Sequence, residues 1–288
     1  MKIIKNSSHN LLLYFVTVMI WGSSWLAIKF QLGFVDPMAS VAYRFLLASV
    51  ISLIFCFFSG RVMAFSLIDH FFMFLQGTFL FALNYWLFYL SELTLTSGLA
   101  AVIFSTIVVM NMGNGIIFLQ NRIEYRVLIG AFLGIVGIIF VFWTELTHFE
   151  IDSENIKAVF LAIVATYLAS LGNIVSARNQ RSGIPVLQCN TFGMTYGALL
   201  MLFVCMARGR ELSFEFTFPY IGSLLFLSVF ASIIAFFTYL TLLGRIGVER
   251  AAYATLLFPI VALVISTFAE GYKWSVFAVI GILLIMAG

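Results

Sequence analysis

The chain has 288 residues, 63% of them hydrophobic and only 9% charged, with a mean hydropathy of +1.11. A soluble domain carries about 25% charge, and no water-soluble fold of this size can hide so much apolar surface, so the bilayer is this chain's solvent. Fifteen Lys and Arg against twelve Asp and Glu leave a net charge of +3, too small a surplus to point to a nucleic-acid partner.

A membrane-spanning helix needs roughly 20 apolar residues, so the length accommodates about ten with short turns and no large domain outside the membrane. The predicted fold class is an all-α polytopic membrane protein with ten transmembrane helices, at about 11–31, 38–58, 70–90, 97–119, 126–143, 156–177, 185–207, 219–243, 249–269 and 273–288. Polar groups within such helices are costly unless they face protein or a water-filled cavity. Each therefore has two readings: hydrogen-bonded glue between helices or the lining of a ligand pocket.

Ahead of the first span, Lys2 and Lys5 resemble the start of a signal peptide. The apolar run continues through residues 21–30 without a small-residue cleavage pattern, so a retained helix is expected. Thr17, Ser24 and Gln31 share a stripe of it. Trp21 and Trp25 lie near mid-depth, where a cavity wall or helix packing fits better than an interfacial belt. Gly22, Ser23 and Ser24 let a neighbouring helix approach, and Lys29 can anchor the end of the helix by snorkelling.

The second span carries Arg44, about seven residues in, where a cation costs roughly 2.5–3.5 kcal/mol on insertion scales. It must snorkel, pair with Asp36 or Glu92, or meet an anionic substrate group. The third span places Asn84, Phe88 and Ser91 on one face and Tyr85, Tyr89 and Glu92 on the next. In the fourth, Ala101, Phe104, Val108, Asn111 and Gly115 align beside Asn114. The connection 144–155 carries Glu145, Glu150, Asp152 and Glu154 at mid-chain. After it, Thr166, Ser170 and Asn173 share a stripe of the sixth span, and the eighth and ninth add Thr238, Tyr239, Tyr253 and Thr255. Pro259 removes a backbone hydrogen bond inside the ninth span, as either a hinge or a kink accommodated by neighbours. Sixteen residues in the last run reach only about 24 Å, short of the ~30 Å hydrocarbon core. Either this helix is short or tilted, or the natural chain continues past Gly288.

Nine cations (Lys2, Lys5, Arg61, Arg122, Arg126, Arg178, Arg181, Arg245 and Arg250) collect on the N-terminal side, against Lys157, Arg208, Arg210 and Lys273 opposite. The positive-inside rule then predicts a multi-pass protein of the inner (cytoplasmic) membrane with both termini cytoplasmic. An internal repeat is also visible. Thr17, Ser24 and Gln31 recur as Thr166, Asn173 and Gln180 at an offset of 149, and Lys29 is matched by Arg178. Pro37 answers to Pro185 (offset 148); Tyr89, Ala101 and Phe118 answer to Tyr239, Ala251 and Phe268 (offset 150); Gly130 and Gly137 answer to Gly281 and Gly288 (offset 151). The expected units are 1–143 and 156–288, joined by the acidic segment 144–155. Five helices is an odd number, so the second unit enters from the opposite side, as in secondary transporters with inverted repeats.

The string Ile20-Trp21-Gly22-Ser23-Ser24-Trp25-Leu26-Ala27-Ile28-Lys29 closely resembles the opening helix of EamA-type permeases of the drug/metabolite transporter superfamily. Tyr43-Arg44-Phe45-Leu46-Leu47-Ala48, the pair Pro259 and Glu270, and the pair Gly281 and Gly288 extend the likeness over nearly the whole chain. It departs at Val109, where the family's fourth-span proline usually stands, and at Gln120, opposite Glu270. Gly113 and Gly115 could still let the fourth helix bend. The resemblance implies two inverted five-helix repeats around a central cavity that moves small metabolites, often amino acids or related compounds.

On that basis the candidate substrate-binding residues are Trp21, Ser24, Trp25, Asn84, Tyr85, Tyr89, Asn111, Ser170, Asn173, Tyr239 and Tyr253, with hinge or charge roles for Arg44, Glu92 and Pro259. The expected partners are a small neutral or zwitterionic substrate and the lipid bilayer, with a homodimer left open. Efflux is expected on resemblance alone, with export of drugs or amphiphilic cations as the alternative. Every carboxylate lies at a span end or in a loop, Glu92, Glu249 and Glu270 being nearest the membrane. Facilitated diffusion or exchange is therefore expected, with proton coupling through Glu92 as the rival.

An enzyme would need a positioned base, nucleophile or metal set. His9, His70 and His148 lie in tails or loops, and no HExxH or GxSxG string occurs. Cys56, Cys189 and Cys205 form no CxxC pair, and no metal or cofactor is expected. A channel is the other rival class, against which the repeat argues.

Overall fold

A computed structural model describes residues 7–121, 124–149, 151–269 and 274–288, without the side chains of residues 7, 25, 97, 145, 266 and 269. Lys2, Lys5, Arg122, Glu150, Glu270, Lys273 and the Trp25 and Glu145 side chains lie outside the described residues.

Local chemistry sets most of the helix starts. Helix α1 (Ser7–Lys29) returns its hydroxyls to its own carbonyls, Thr17 to Leu13, Ser23 to Ile20 and Ser24 to Trp21, which lets polar residues sit in an apolar helix. Asp36 accepts from the Met38 amide and Pro37 occupies the first turn of α2 (Pro37–Phe58). Ser66 and Asp69 form a reciprocal capping box at the start of α3 (Leu67–Glu92). Thr96 caps α4 (Gly98–Leu119), and Gln120 ends it in the left-handed region at φ 56°. Next come α5 (Tyr125–Val141) and a one-turn helix, Trp143–Thr147.

Asp152 caps the 29-residue α6 (Ser153–Arg181). Helix α7 spans Val186–Ala207, and Thr217 caps α8 (Phe218–Ile246). Helix α9 (Val248–Ile265) follows Gly247, whose φ of 97° suits a residue without Cβ. Ser275 caps α10 (Val276–Ala287).

Two features depart from the expected spans. Among the described residues, eight helices, α1 to α4 and α6 to α9, are long and apolar enough to cross a membrane. Helices α5 and α10, with 17 and 12 residues, are apolar but shorter. The acidic segment 144–155 is also partly helical, because the helix Trp143–Thr147 runs into it and Asp152 starts α6 ahead of the apolar run.

Helices α3 and α8 each contain a π-helical stretch, Gly77–Leu83 and Leu227–Ile234. Helices α4 and α9 are interrupted at Thr106 and Tyr253. The break in α4 therefore comes before Val109, and Gly113 and Gly115 are helical.

All described regular structure is helical. Helix α2 packs on α7, α5 on α10, α1 on α8 and α9, and α6 on α3 and α4. Two crossings depend on glycine. A Cβ on Gly137 would come within 2.6 Å of the Gly281 carbonyl oxygen and of Ile285 Cγ1. At the α3–α7 crossing, a Cβ on Gly197 would lie 2.9 Å from the Gly77 carbonyl oxygen. Small residues at these points let the backbones meet, the usual way membrane helices associate. Phe15, Phe57, Phe58, Phe118 and Phe132 are exposed on the outside of the bundle, far more apolar surface than a soluble monomer shows.

Candidate functional site

Six helices, α1, α3, α4, α6, α8 and α9, surround a cavity of about 90 Å³. Its wall is mostly aromatic. Trp21 packs its ring against Phe236, Tyr239 and Phe258 at centroid distances of 4.8, 5.0 and 5.2 Å. The Trp21 Nε1–H donates to the carbonyl of Ala231 at 2.9 Å, inside the π-helical stretch of α8. Wider π turns free backbone groups of this kind, and they recur at functional sites.

Of the candidate residues, Trp21, Ser24, Asn84, Tyr85, Tyr89, Glu92, Asn173 and Tyr239 line the cavity. The two faces read on the third span merge there, because Asn84 and Phe88 line it together with Tyr85, Tyr89 and Glu92. Lys29 lies close enough to Glu92 to act on it electrostatically.

Asn111, Ser170 and Tyr253 do not line the cavity. Asn111 is fully buried beneath it, where its amide oxygen receives a 3.5 Å contact from Asn173 Nδ2. Asn173 Nδ2 also donates to the Tyr239 hydroxyl at 3.1 Å, and Asn111 Nδ2 lies 3.5 Å from the Val248 carbonyl. These three residues tie α4, α6 and α8 together at the end of the cavity nearest the α8–α9 turn. Ser170 accepts from Asn114 Nδ2 at 2.9 Å, and the Tyr253 hydroxyl donates to the Ile285 carbonyl of α10 at 3.0 Å. Both hydroxyls are engaged between helices.

The rest of the α1 stripe behaves the same way. Thr17 and Thr238 share a hydrogen bond at 2.8 Å, and Gln31 Nε2 donates to Ser223 Oγ at 2.6 Å. Pro259 lies inside α9 next to the cavity-lining Phe258. Farther toward the α8–α9 turn, Arg181 donates to the Leu119 carbonyl at 3.1 Å and to Asn121 Oδ1 at 2.9 Å. Asn121 in turn donates to Glu249 at 3.2 Å.

Arg44 corrects two expectations. Only 1% exposed, it does not snorkel, and among the described residues no carboxylate lies within 4 Å of it. Asp36 instead lies 3.9 Å from Arg210. The Arg44 side chain is held inside because Nε donates to Ser232 Oγ at 2.9 Å and the guanidinium carbon sits 4.6 Å from the Tyr85 ring centre.

Sequence reasoning missed Ile28, Leu80, Ile107, Ala169, Phe236 and Phe258 as wall residues. Aliphatic and aromatic side chains facing a cavity carry the same sequence signal as those facing lipid or a neighbouring helix, and the chain has 33 Phe.

Among the described residues the chain is an all-helical, multi-pass membrane bundle with an aromatic-walled internal cavity. The sequence profile of the EamA-like transporter family matches residues 10–143 and again 156–288, so the chain belongs to that family. Its relatives include protein PagO of Salmonella typhimurium, 23% identical over 96% of this chain and 90% of that one. A probable amino-acid metabolite efflux pump of the same organism is 25% identical over 95% and 91%. The uncharacterized transporter YoaV of Bacillus subtilis is 22% identical over 94% and 91%. A solved crystal structure superposes with a TM-score of 0.80 at 15% identity, covering 97% of this chain and 94% of its own, which shows the shared fold.

Proposed function

We propose that this transporter carries a small neutral or zwitterionic metabolite, such as an amino acid or a related compound, by alternating access, and that it works as an exporter. The observation that carries the reading is the cavity itself: aromatic walls, a few orienting amides and hydroxyls, and a hydrogen-bonded closure by Asn111, Asn173 and Tyr239 at one end. Such a pocket orients a ligand through a few polar contacts and holds it by apolar burial.

The proposed frame is ten helices in two inverted repeats, 1–143 and 156–288, linked by 144–155, in the inner membrane with both termini cytoplasmic. Reciprocal packing supports it: α1 meets α8 as α6 meets α3, and α1 meets α9 as α6 meets α4. The π-helical stretches begin 150 residues apart, at Gly77 and Leu227. Gly130 approaches Gly288 as Gly137 approaches Gly281, the exchange a two-fold axis would make. The efflux relative supports the export direction.

Counterflow in proteoliposomes tests the reading. Vesicles preloaded with an unlabelled amino acid should accumulate the labelled one, and Trp21→Ala or Asn173→Ala should change its affinity or rate. Unchanged kinetics in both variants would remove the site. Single-channel currents in planar bilayers would replace the carrier with a channel.

Glu92 in an aromatic wall favours a second reading, export of amphiphilic cations, which a thermal-shift screen against amino acids, nucleosides, sugars and such cations separates from the first. The mode of transport is facilitated diffusion or exchange. Uphill uptake only under an imposed pH gradient, lost in Glu92→Gln, would replace that mode with proton coupling.

A further inference from the structure

Arg44 is a buried cation that no anion of the described chain neutralises. Asp36 lies toward Arg210, and Lys29 is the cation whose charge acts on Glu92. A purely structural role does not need its charge. Ser232 accepts one hydrogen bond from Nε, and Ser228 donates to the Arg44 backbone carbonyl at 3.0 Å. A neutral glutamine could tie α2 to the π-helical stretch of α8 in the same way. What arginine adds is a full positive charge and more donors, of which Nη1 is buried without a partner.

That charge sits directly behind the cavity wall. The guanidinium carbon lies 4.6 Å from the centre of the Tyr85 ring, and the group is close enough to the Tyr85 and Tyr89 hydroxyls to interact with each. Both tyrosines line the cavity, and the Tyr89 hydroxyl is buried without a partner of good geometry. Elsewhere in the wall the unpaired groups are acceptors. Asn84 Oδ1 and Asn173 Oδ1 are buried, belong to lining residues and receive no hydrogen bond. Buried polar groups are ordinarily satisfied, so the unpaired donors of Arg44 and Tyr89 and the unpaired acceptors of Asn84 and Asn173 are groups that a bound ligand could satisfy.

We propose that Arg44, acting through Tyr85 and Tyr89, is the counter-charge for a carboxylate on the transported molecule, while the amide oxygens of Asn84 and Asn173 receive its protonated amine. This deepens the metabolite-carrier reading and rests on it. The substrate class is a zwitterion bearing both groups. Arg44 is a positioning residue: its field, little screened in a dry wall, orders the tyrosine hydroxyls toward the carboxylate. At an effective dielectric of about 20, a charge pair roughly 7 Å apart amounts to between ten- and a hundred-fold in affinity.

The test compares ligands within one protein, so folding defects cancel. The twenty protein amino acids are screened by thermal shift on the purified protein in nanodiscs. The tightest is then measured by calorimetry beside its carboxamide, which keeps the amine and loses the negative charge. The wild type should prefer the acid by about ten- to a hundred-fold. Arg44→Gln should bring that ratio below about three-fold with carboxamide affinity nearly unchanged, and Arg44→Lys should retain part of it. A wild-type ratio in folded Arg44→Gln overturns the proposal. If Arg44→Gln does not fold, Tyr89→Phe decides by the same ratio, a fall supporting the proposal and no change overturning it. Should the wild type bind carboxamides or amphiphilic cations and no acid, the carboxylate subsite is wrong while the carrier reading stands. If no panel member binds and counterflow is absent, both fall.

Discussion

Replacing Gly281 with alanine puts a methyl group where α5 and α10 touch backbone to backbone. A Cβ there would come within 2.7 Å of the Val141 amide nitrogen, and one on Gly137 within 2.6 Å of the Gly281 oxygen and 3.0 Å of the Ile285 nitrogen. Unstrained contacts of this kind lie near 3.5–4.0 Å, so the helices must part by roughly 1 Å. The obstructing atoms are main chain and cannot rotate aside. The cost therefore belongs at the upper end of the overpacking range, about 2–3 kcal/mol, or roughly 30- to 150-fold in the folding equilibrium. Gly113→Ala is the internal control, because no atom lies within 4 Å of its Cβ position. It gains up to about 1 kcal/mol of helix propensity. Equilibrium unfolding in mixed micelles across an SDS titration reads both variants. Gly137→Ala should resemble Gly281→Ala, and the double variant should cost less than the sum, since one separation relieves both. Equal midpoints for Gly281→Ala and Gly113→Ala would refute the close crossing.

Three other outcomes are expected. Tyr239→Phe removes the better partner of Asn173 Nδ2 and should destabilise by about 1–3 kcal/mol in the same titration. It should also raise labelling of a cysteine placed at Gln180 by a membrane-impermeant maleimide, and unchanged labelling would mean the three-residue closure is not a closure. Pro259→Ala restores an amide that can bond the Thr255 carbonyl; if the kink is a hinge, transport should slow several-fold with ligand affinity unchanged, whereas equal turnover marks it as an accommodated kink. Glu124→Gln breaks the ion pair with Arg250, whose side chains are 61% and 43% exposed; it should change stability by less than about 1 kcal/mol, and a larger loss would show that pair to be more than a surface contact.

The spans were legible because apolar runs bounded by charged and turn residues are a local signal; the caps that start them, Asp36 with Pro37, Ser66 with Asp69, and Thr217 with Pro219, come from the structure. Tyr85, Tyr89 and Asn173 were legible as wall residues because polar or aromatic groups at mid-depth need something to face. The fate of the other polar groups was not legible. Ser24 and Ser170 look alike in sequence, and what separates them is Asn114 of another helix, which donates to the Ser170 hydroxyl. Arg44 shows the same limit more sharply. Its expected counter-ion, Asp36, is drawn toward Arg210, and only tertiary structure reveals that competition. The interruptions at Thr106 and Tyr253 had no local signal either, whereas Val109, Gly113 and Pro259, the residues that drew attention, lie within helix.

The π-helical stretches bear on how this chain tolerates changes in length. A π turn takes in about one residue more than an α turn, whereas each residue of an α-helix advances the facing direction by about 100°. Loss of one residue within Gly77–Leu83 can be absorbed by tightening that turn to α geometry, leaving Asn84, Tyr85, Tyr89 and Glu92 facing as before. The same loss a turn earlier in α3, ahead of the π stretch, turns the capped start about 100° against the rest of the helix. Leu227–Ile234 gives α8 the same slack just ahead of the cavity residues Phe236 and Tyr239, provided that its own packing against α2 is kept. Single-residue deletion scanning of both helices would therefore trace two narrow windows of tolerance, each lying next to the residues that face the cavity.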